Sequence, residues 1–302
     1  MVNAILARKL RKIYPEGVEA LRGIDLEIPK GSITTILGRN GAGKTTFIKI
    51  ATTQMKPTSG IIEVMGIDVV RYSSKVKELI ALTPQGGGVP GYVTPYEFIY
   101  LYLAMRGKSF SEARARAREI LELFGLSGIS NRKCVELSLG TQQRVLAAAA
   151  IASDADIVFL DEPTSGIDAI ARKVFWSYLK SMKRFGRTFI VTTHIPEEAE
   201  YISDYIAIFD RGKVISFGTP RSLINDLEFT YAIEVSGYRS SKHLDSDLAI
   251  DIGDLTILYY RNGRDVESAI TEISKVYSDF RVRPINIMDV LIVKTGGEIE
   301  LD

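Results

Sequence analysis

Apolar positions along this chain fall into two rhythms. The runs Ser32 to Leu37, Glu78 to Thr83, Ile157 to Asp161 and Thr188 to Thr193 are short and β-rich, and helical patterns separate them. That alternation predicts an α/β fold, a mostly parallel sheet covered by helices. Between Thr94 and Phe124 the rhythm changes to two successive helices, TPYEFIYLYLAMRG and SFSEARARAREILELFG, with Gly107 between them and Ser109 or Ser111 as N-cap. This segment reads as an inserted helical subdomain. Within it Tyr92, Tyr96 and Tyr100 recur at i, i+4 and i+8 and so share one side of a helix, a packed face more often than a docking face. Beyond GKVISFGTPRSLIND come apolar runs at Phe229 to Val235 and Leu255 to Tyr260, a helix from about Asp265 to Tyr277, and a run at Arg281 to Pro284. The expected organisation is a main domain over residues 1–226, its helical subdomain at about 92–153, and a small α+β domain over 227–302.

The opening stretch MVNAILARKLRKIY also reads as a strand. Arg8, Lys9, Arg11 and Lys12 interrupt its apolar residues, so it lacks the apolar core of a signal peptide. Elsewhere the longest apolar stretches, such as Val145 to Ala152 and Ile157 to Leu160, fall far short of the roughly 20 residues that span a bilayer. Membrane contact is therefore expected only through a partner. The 302 residues exceed a typical domain, and 46% hydrophobic residues can fill a large core. A net charge of +1 lacks the basicity of nucleic-acid binding, so no nucleic-acid partner is expected. The single cysteine, Cys134, excludes an intrachain disulfide and fits a reducing, cytoplasmic setting. Cys134 and Trp176 are expected to pack. His243 has no ligand set at metal spacing around it, and Arg114, Arg116 and Arg118 alternate along their helix, so both features read as solvated surface.

Chemistry enters at Gly38, Arg39, Asn40, Gly41, Ala42, Gly43, Lys44 and Thr45, followed by Thr46. These residues satisfy G-x-x-x-x-G-K-[ST] after an apolar strand and before a helical segment, the context that a phosphate-binding loop requires. Its glycines let successive backbone N–H groups wrap around phosphate oxygens at a helix N-terminus. Lys44 is expected to reach the β- and γ-phosphates, and the Thr45 hydroxyl to ligate Mg²⁺. A second apolar run, Ile157 to Leu160, delivers Asp161 and Glu162 at its C-terminal end. Asp161 suits Mg²⁺ bound through its water shell, and Glu162 the proton of an attacking water.

The segment Leu137, Ser138, Leu139, Gly140, Thr141, Gln142, Gln143, Arg144, ahead of the helical VLAAAAIAS, resembles the LSGGQ signature of ABC ATPases. Leu139 stands where the family has its first glycine and Thr141 where it has glutamine; Ser138, Gly140, Gln143 and Arg144 match. Other pieces fall in family order. Tyr14 resembles the aromatic that stacks on adenine, and Gln85 the Gln-loop residue, able to hold Mg²⁺ or water through its amide oxygen, with Gly86 to Gly88 as its hinge. Ser165 to Asp168 resembles the D-loop and His194 the switch histidine, a donor to the γ-phosphate.

The resemblance covers roughly residues 2–226. It implies a P-loop NTPase sheet core with an inserted helical subdomain and an N-terminal antiparallel β subdomain, with ATP and Mg²⁺ as ligands. It also implies a second ATPase subunit, since in this family the signature of one subunit completes the other's nucleotide site. In a homodimer each site would combine Lys44, Asp161 and Glu162 of one copy with Ser138 and Gly140 of the other; a heterodimer stays open. The transporter members add a membrane permease, which Gly86 to Arg106 could meet, and this places the chain at the inner face of the cell membrane. TPYEFIYLYLAMRG, EILELFGL and PINIMDVLIVKTGG look most like the export-type ABC-2 group for drugs, antibiotics or polysaccharides. The alternative is a soluble ABC ATPase of assembly or repair, although the coiled coil of repair members is missing. A P-loop kinase would need an acceptor site and no signature segment.

Overall fold

The computed structural model describes residues 3–84, 86, 88–164, 166–183, 186–238 and 246–297. In chain order the elements are β1 (Asn3–Ile13), β2 (Glu19–Pro29), β3 (Ile33–Leu37), α1 (Lys44–Ala51), β4 (Ser59–Val64), β5 (Ile67–Asp68), α2 (Ser73–Leu79) and β6 (Ile80–Thr83). There follow α3 (Pro95–Met105), α4 (Phe110–Leu123), α5 (Leu139–Ala152), β7 (Ile157–Asp161), α6 (Ala169–Lys183), β8 (Thr188–Thr193), α7 (Pro196–Ile202), β9 (Tyr205–Asp210), β10 (Lys213–Gly218) and α8 (Pro220–Asn225). The chain closes with β11 (Tyr231–Ser236), β12 (Leu248–Ile252), β13 (Leu255–Tyr260), α9 (Gly263–Ile273), β14 (Phe280–Pro284) and α10 (Ile287–Thr295).

The central six-stranded sheet has the order β10-β9-β3-β8-β7-β6. It is parallel from β9 to β6, with β10 antiparallel at its edge. Every residue of β3, β7 and β8 is buried, which accounts for their unbroken apolar and threonine runs: strands covered on both faces have no wet side to mark with polar residues. A four-stranded sheet, β2-β1-β4-β5, lies against it, and its strands pair antiparallel. Phe47 of α1 meets Phe209 of β9 edge to face at 5.6 Å between ring centres.

The helical segment is punctuated by local chemistry. Thr94 caps α3 and Ser109 caps α4, each in a capping box with a glutamate three residues on, and Gly107 turns at φ 89° between them. The tyrosine stripe is shorter than its spacing suggested. Tyr92 precedes the Thr94 cap and is 90% exposed, while Tyr96 and Tyr100 stack on each other at 6.3 Å. Arg114 and Arg118 of α4 are exposed, as a solvated face requires, and Arg116 is half-buried. Arg114 lies over Tyr100 at 5.6 Å and Arg118 over Tyr96 at 5.8 Å, because both ladders share the i, i+4 step; Arg116 pairs with Glu119 at 2.7 Å. Glu78 belongs to α2, so the strand predicted from that position begins at Ile80. Cys134 and Trp176 are buried, and burial pushes the Cys134 thiol up. His243 lies outside the described residues.

The C-terminal strands form their own four-stranded antiparallel sheet, β12-β13-β11-β14. Strand β12 and helix α10 were not among the expected elements. One apolar cluster crosses from this sheet into the main domain, joining Tyr259, Ile287, Val290 and Ile292 with Ala199 of α7 and Leu37, the residue before the phosphate loop. The Ile287 amide also donates to Glu200 Oε2 of α7 at 3.0 Å. Beneath α10, Arg283 binds Glu234 and Asp289 at 2.5 and 2.6 Å, and the Tyr259 hydroxyl donates to Asp289 at 3.1 Å.

Candidate active site

Three neighbouring parallel strands end together, and each hands over its site residues at its carboxyl end: β3 the loop Gly38–Gly43, β7 Asp161 and Glu162, β8 His194. Clefts outside the carboxyl ends of such sheets are where α/β folds bind ligands. The loop's glycines are sterically required. A Cβ on Gly38 would strike the Phe209 carbonyl oxygen. One on Gly43, at φ 103°, would come within 2.7 Å of the Ala20 carbonyl oxygen and 2.9 Å of Leu21. Gly41 also turns at positive φ, and α1 starts directly at Lys44. Its first-turn N–H groups thus face the cradle with no acidic side chain in that turn.

Lys44 is buried. Its Nζ donates to the carbonyls of Gly38 at 2.6 Å and Arg39 at 3.0 Å, and lies 3.6 Å from Glu162 Oε1. Burial pulls its ammonium below the ordinary lysine range, with Glu162 opposing. Thr45 Oγ1 lies 3.4 Å from Asp161 Oδ1, which also accepts from Thr192 Oγ1 at 2.5 Å. Burial pushes the Asp161 carboxyl up, partly offset by those two hydroxyls. A hydroxyl and a carboxylate are the hard oxygen donors that Mg²⁺ takes, and two protein ligands leave positions for water and phosphate. Glu162 is held at φ 49° although it is not glycine, with its amide donating to Thr192 Oγ1 at 2.9 Å. That left-handed backbone costs on the order of 1–3 kcal/mol. It turns the carboxylate so that Oε2 lies 2.9 Å from His194 Nδ1.

Around this centre, the Tyr14 hydroxyl meets Thr46 Oγ1 at 3.1 Å, which sets the ring beside α1. Ser138 caps α5 by accepting from the Thr141 amide at 3.3 Å, and its hydroxyl meets Thr141 Oγ1 at 2.9 Å. Leu139 is 79% exposed, whereas Gly140 is buried and a Cβ there would strike the Gly166 carbonyl oxygen. Asp168 accepts from the amides of Ile170 and Ala171, which holds its carboxyl below the usual range. Gln85 and Ser165, also singled out by sequence, lie outside the described residues, as does Gly87.

Sequence reasoning missed Thr192 and the cluster of Thr164, Arg172 and Glu198. Their identities carry no motif, and only burial singles out Thr192 inside β8 and Glu198 on α7. Among the described residues no helix is long and apolar enough to cross a membrane.

Residues 21–165 match the family model described as ABC transporter. The chain is 33% identical over 307 residues to the daunorubicin/doxorubicin resistance ATP-binding protein DrrA of Streptomyces peucetius, covering 97% of this chain and 93% of that protein. It is 30% identical over 304 residues to the Nod factor export ATP-binding protein I of Cupriavidus pinatubonensis, covering 99% and 93%. The dimeric structure of an ATP-binding cassette in a post-hydrolysis state, bound to ADP and Pi, superposes with a TM-score of 0.66 at 27% identity over 71% of this chain and 98% of that one.

Proposed function

Because the chain belongs to the ABC transporter family of ATP-binding subunits, we infer that its Glu162–His194–Lys44 centre hydrolyses ATP in a dimer that drives export through a separate membrane permease. Glu162 carries the reading. Its carboxylate stands between His194 Nδ1 and the Lys44 ammonium, at the strand ends where the loop would present a γ-phosphate. Phosphoryl transfer to water is chiefly a matter of positioning and charge stabilisation. Glu162 takes the proton of the attacking water, and the single N–H of neutral His194, which rests on that carboxylate, turns to donate to the γ-phosphate when ATP is bound. Lys44 exchanges its two loop carbonyls for phosphate oxygens. Tyr14 stacks on adenine, the amides from Gly38 to Thr46 wrap the phosphates, and the Gln85 amide oxygen has the chemistry to hold Mg²⁺ or the reacting water. The Thr45 hydroxyl and, through water, the Asp161 carboxylate, with the Gln85 amide oxygen, would hold Mg²⁺, which would neutralise charge on the β- and γ-phosphates.

In this family the signature segment of one subunit completes the nucleotide site of the other, so Ser138, Gly140, Thr141 and Asp168 serve the site of a second ATPase subunit, most simply another copy of this one. Binding of two ATP molecules then draws the subunits together and hydrolysis releases them, since a ligand shifts an equilibrium toward the state that it binds better. The permease docks on the helical subdomain near Gly86 to Arg106, which keeps the chain at the inner membrane face. Relatives named for drug resistance and Nod factor export support an export role over a non-transport role.

The test is Glu162→Gln in the full-length chain. We expect ATP binding to persist, Mg²⁺-dependent turnover to fall about 100-fold or more as a general base is removed, and an ATP-bound dimer to accumulate on gel filtration. Near-normal hydrolysis would overturn the assignment of the base.

A further inference from the structure

Glu198 is a carboxylate with no part in the chemistry described above, yet it is 6% exposed and sits where three segments converge. Its two oxygens both accept from Thr164 Oγ1 at 3.0 Å, Oε2 accepts from Thr193 Oγ1 at 3.0 Å, and Oε1 lies 3.1 Å from Arg172 Nε. Thr193 and Thr164 adjoin the active site in the chain. Thr193 immediately precedes His194, and its hydroxyl also accepts from the Ile195 amide at 3.1 Å, so the histidine is bracketed on both sides. Thr164 lies two residues beyond Glu162, and its carbonyl accepts from the Ile167 amide at 3.1 Å. Arg172 reaches back to the Ile167 carbonyl at 3.1 Å, and the carbonyl of Gly166 rests on Gly140.

A buried carboxylate is costly unless cations and donors surround it, and here both hydroxyl donors come from the segments that follow Glu162 and precede His194, with the Arg172 guanidinium of α6 as countercharge. A residue serving only to start α7 would need no more than the amides of its own first turn. We propose that Glu198 is a positioning residue: it locks the His194 segment to Thr164 and, through Arg172, to Ile167, fixing the histidine against Glu162 and aligning Gly166 and Ile167 with the Ser138–Gly140 segment. The proposal rests on the active-site reading above. Its physical content is that misplacement of a reacting group by about 1 Å costs on the order of 100-fold in rate while leaving ground-state binding largely intact.

The experiment compares full-length wild type, Glu198→Gln, Glu198→Asp and Glu162→Gln for kcat and KM in ATP hydrolysis and for affinity toward a fluorescent ATP analogue. Glutamine keeps the size but loses the charge toward Arg172 and presents an amide N–H₂ to a hydroxyl donor. Expected is a fall in kcat of roughly 10- to 100-fold with KM and analogue affinity moved less than about threefold; Glu198→Asp, which keeps the charge, should recover part of the loss. Glu198→Gln with kcat within about twofold of wild type overturns the proposal, as does a folded Glu198→Gln whose analogue affinity falls in parallel with kcat. Should Glu198→Gln fail to fold, Thr164→Val and Thr193→Val leave the ion pair in place. Lowered kcat in either supports the lock, and wild-type kcat in both refutes it. Unimpaired turnover in Glu162→Gln would instead overturn the active-site reading, whatever Glu198 does.

Discussion

Substituting Gly140 sets two physical rules against each other. Gly140 lies in the first turn of α5, where alanine would ordinarily stabilise a helix by roughly 0.5–1 kcal/mol through reduced backbone freedom in the unfolded chain. The structure opposes that gain. A Cβ built on Gly140 would fall well inside 3.0 Å of the Gly166 carbonyl oxygen and 3.1 Å from its carbon, and both obstacles are backbone. Restoring ordinary van der Waals contact requires the Ser138–Gly140 turn and the Gly166 loop to separate by about 1 Å, a displacement of the size that costs about 100-fold in a positioned reaction. Gly166 cannot turn aside freely, because Ile167 on its far side is held by Thr164 and Arg172. Gly140→Ala should therefore lower the thermal midpoint of the nucleotide-free chain and cut ATP turnover roughly 10- to 100-fold. In the Glu162→Gln background it should also weaken the ATP-induced dimer. Differential scanning fluorimetry, steady-state hydrolysis and gel filtration measure the three. A variant that melts higher than wild type and turns over normally would refute the close packing of the two segments.

Two further outcomes follow from the C-terminal sheet. Ile292→Ala removes a buried side chain from the cluster that includes Leu37 and Ala199, and should cost about 2–5 kcal/mol. The loss should appear in a single unfolding transition that includes the ATP-protected domain, and a separate transition of unchanged ATP-domain midpoint would argue against a shared core. Burial, reinforced by the Asp289 carboxylate, holds the Tyr259 hydroxyl above the ordinary phenol range. Above the unfolded value of about 10 the unfolded chain ionises first, so stability is intact below that pH and falls as pH rises toward the folded value. Relative to Tyr259→Phe, wild type should lose about 1.4 kcal/mol between pH 8 and pH 11 in urea unfolding; equal pH slopes would show that Tyr259 ionises as freely folded as unfolded.

What the sequence determined by itself was the part written in local chemistry. The loop from Gly38 to Thr46 is legible because phosphate binding demands glycine backbone, one lysine and one hydroxyl at fixed spacing. The strand before Asp161 is legible because both of its faces are buried, and α3 and α4 because their capping boxes and apolar spacing agree. Position 78 misled because an apolar run does not say where helix α2 yields to strand β6, and Tyr92 because helical spacing continued past the Thr94 cap. The helix α10 and its burial against α7 were unreadable, since the apolar face of one segment does not name the surface that covers it.

Only the tertiary structure decided how the active-site groups face one another. The left-handed backbone at Glu162, its approach to His194 and Lys44, the support of Asp161 by Thr192, and the gathering of Thr164, Thr193 and Arg172 on Glu198 join residues that lie apart in the chain. A glutamate on a helix is ordinarily a solvated charge. Burial between two loops makes Glu198 a lock, and burial depends on the packing of the whole sheet.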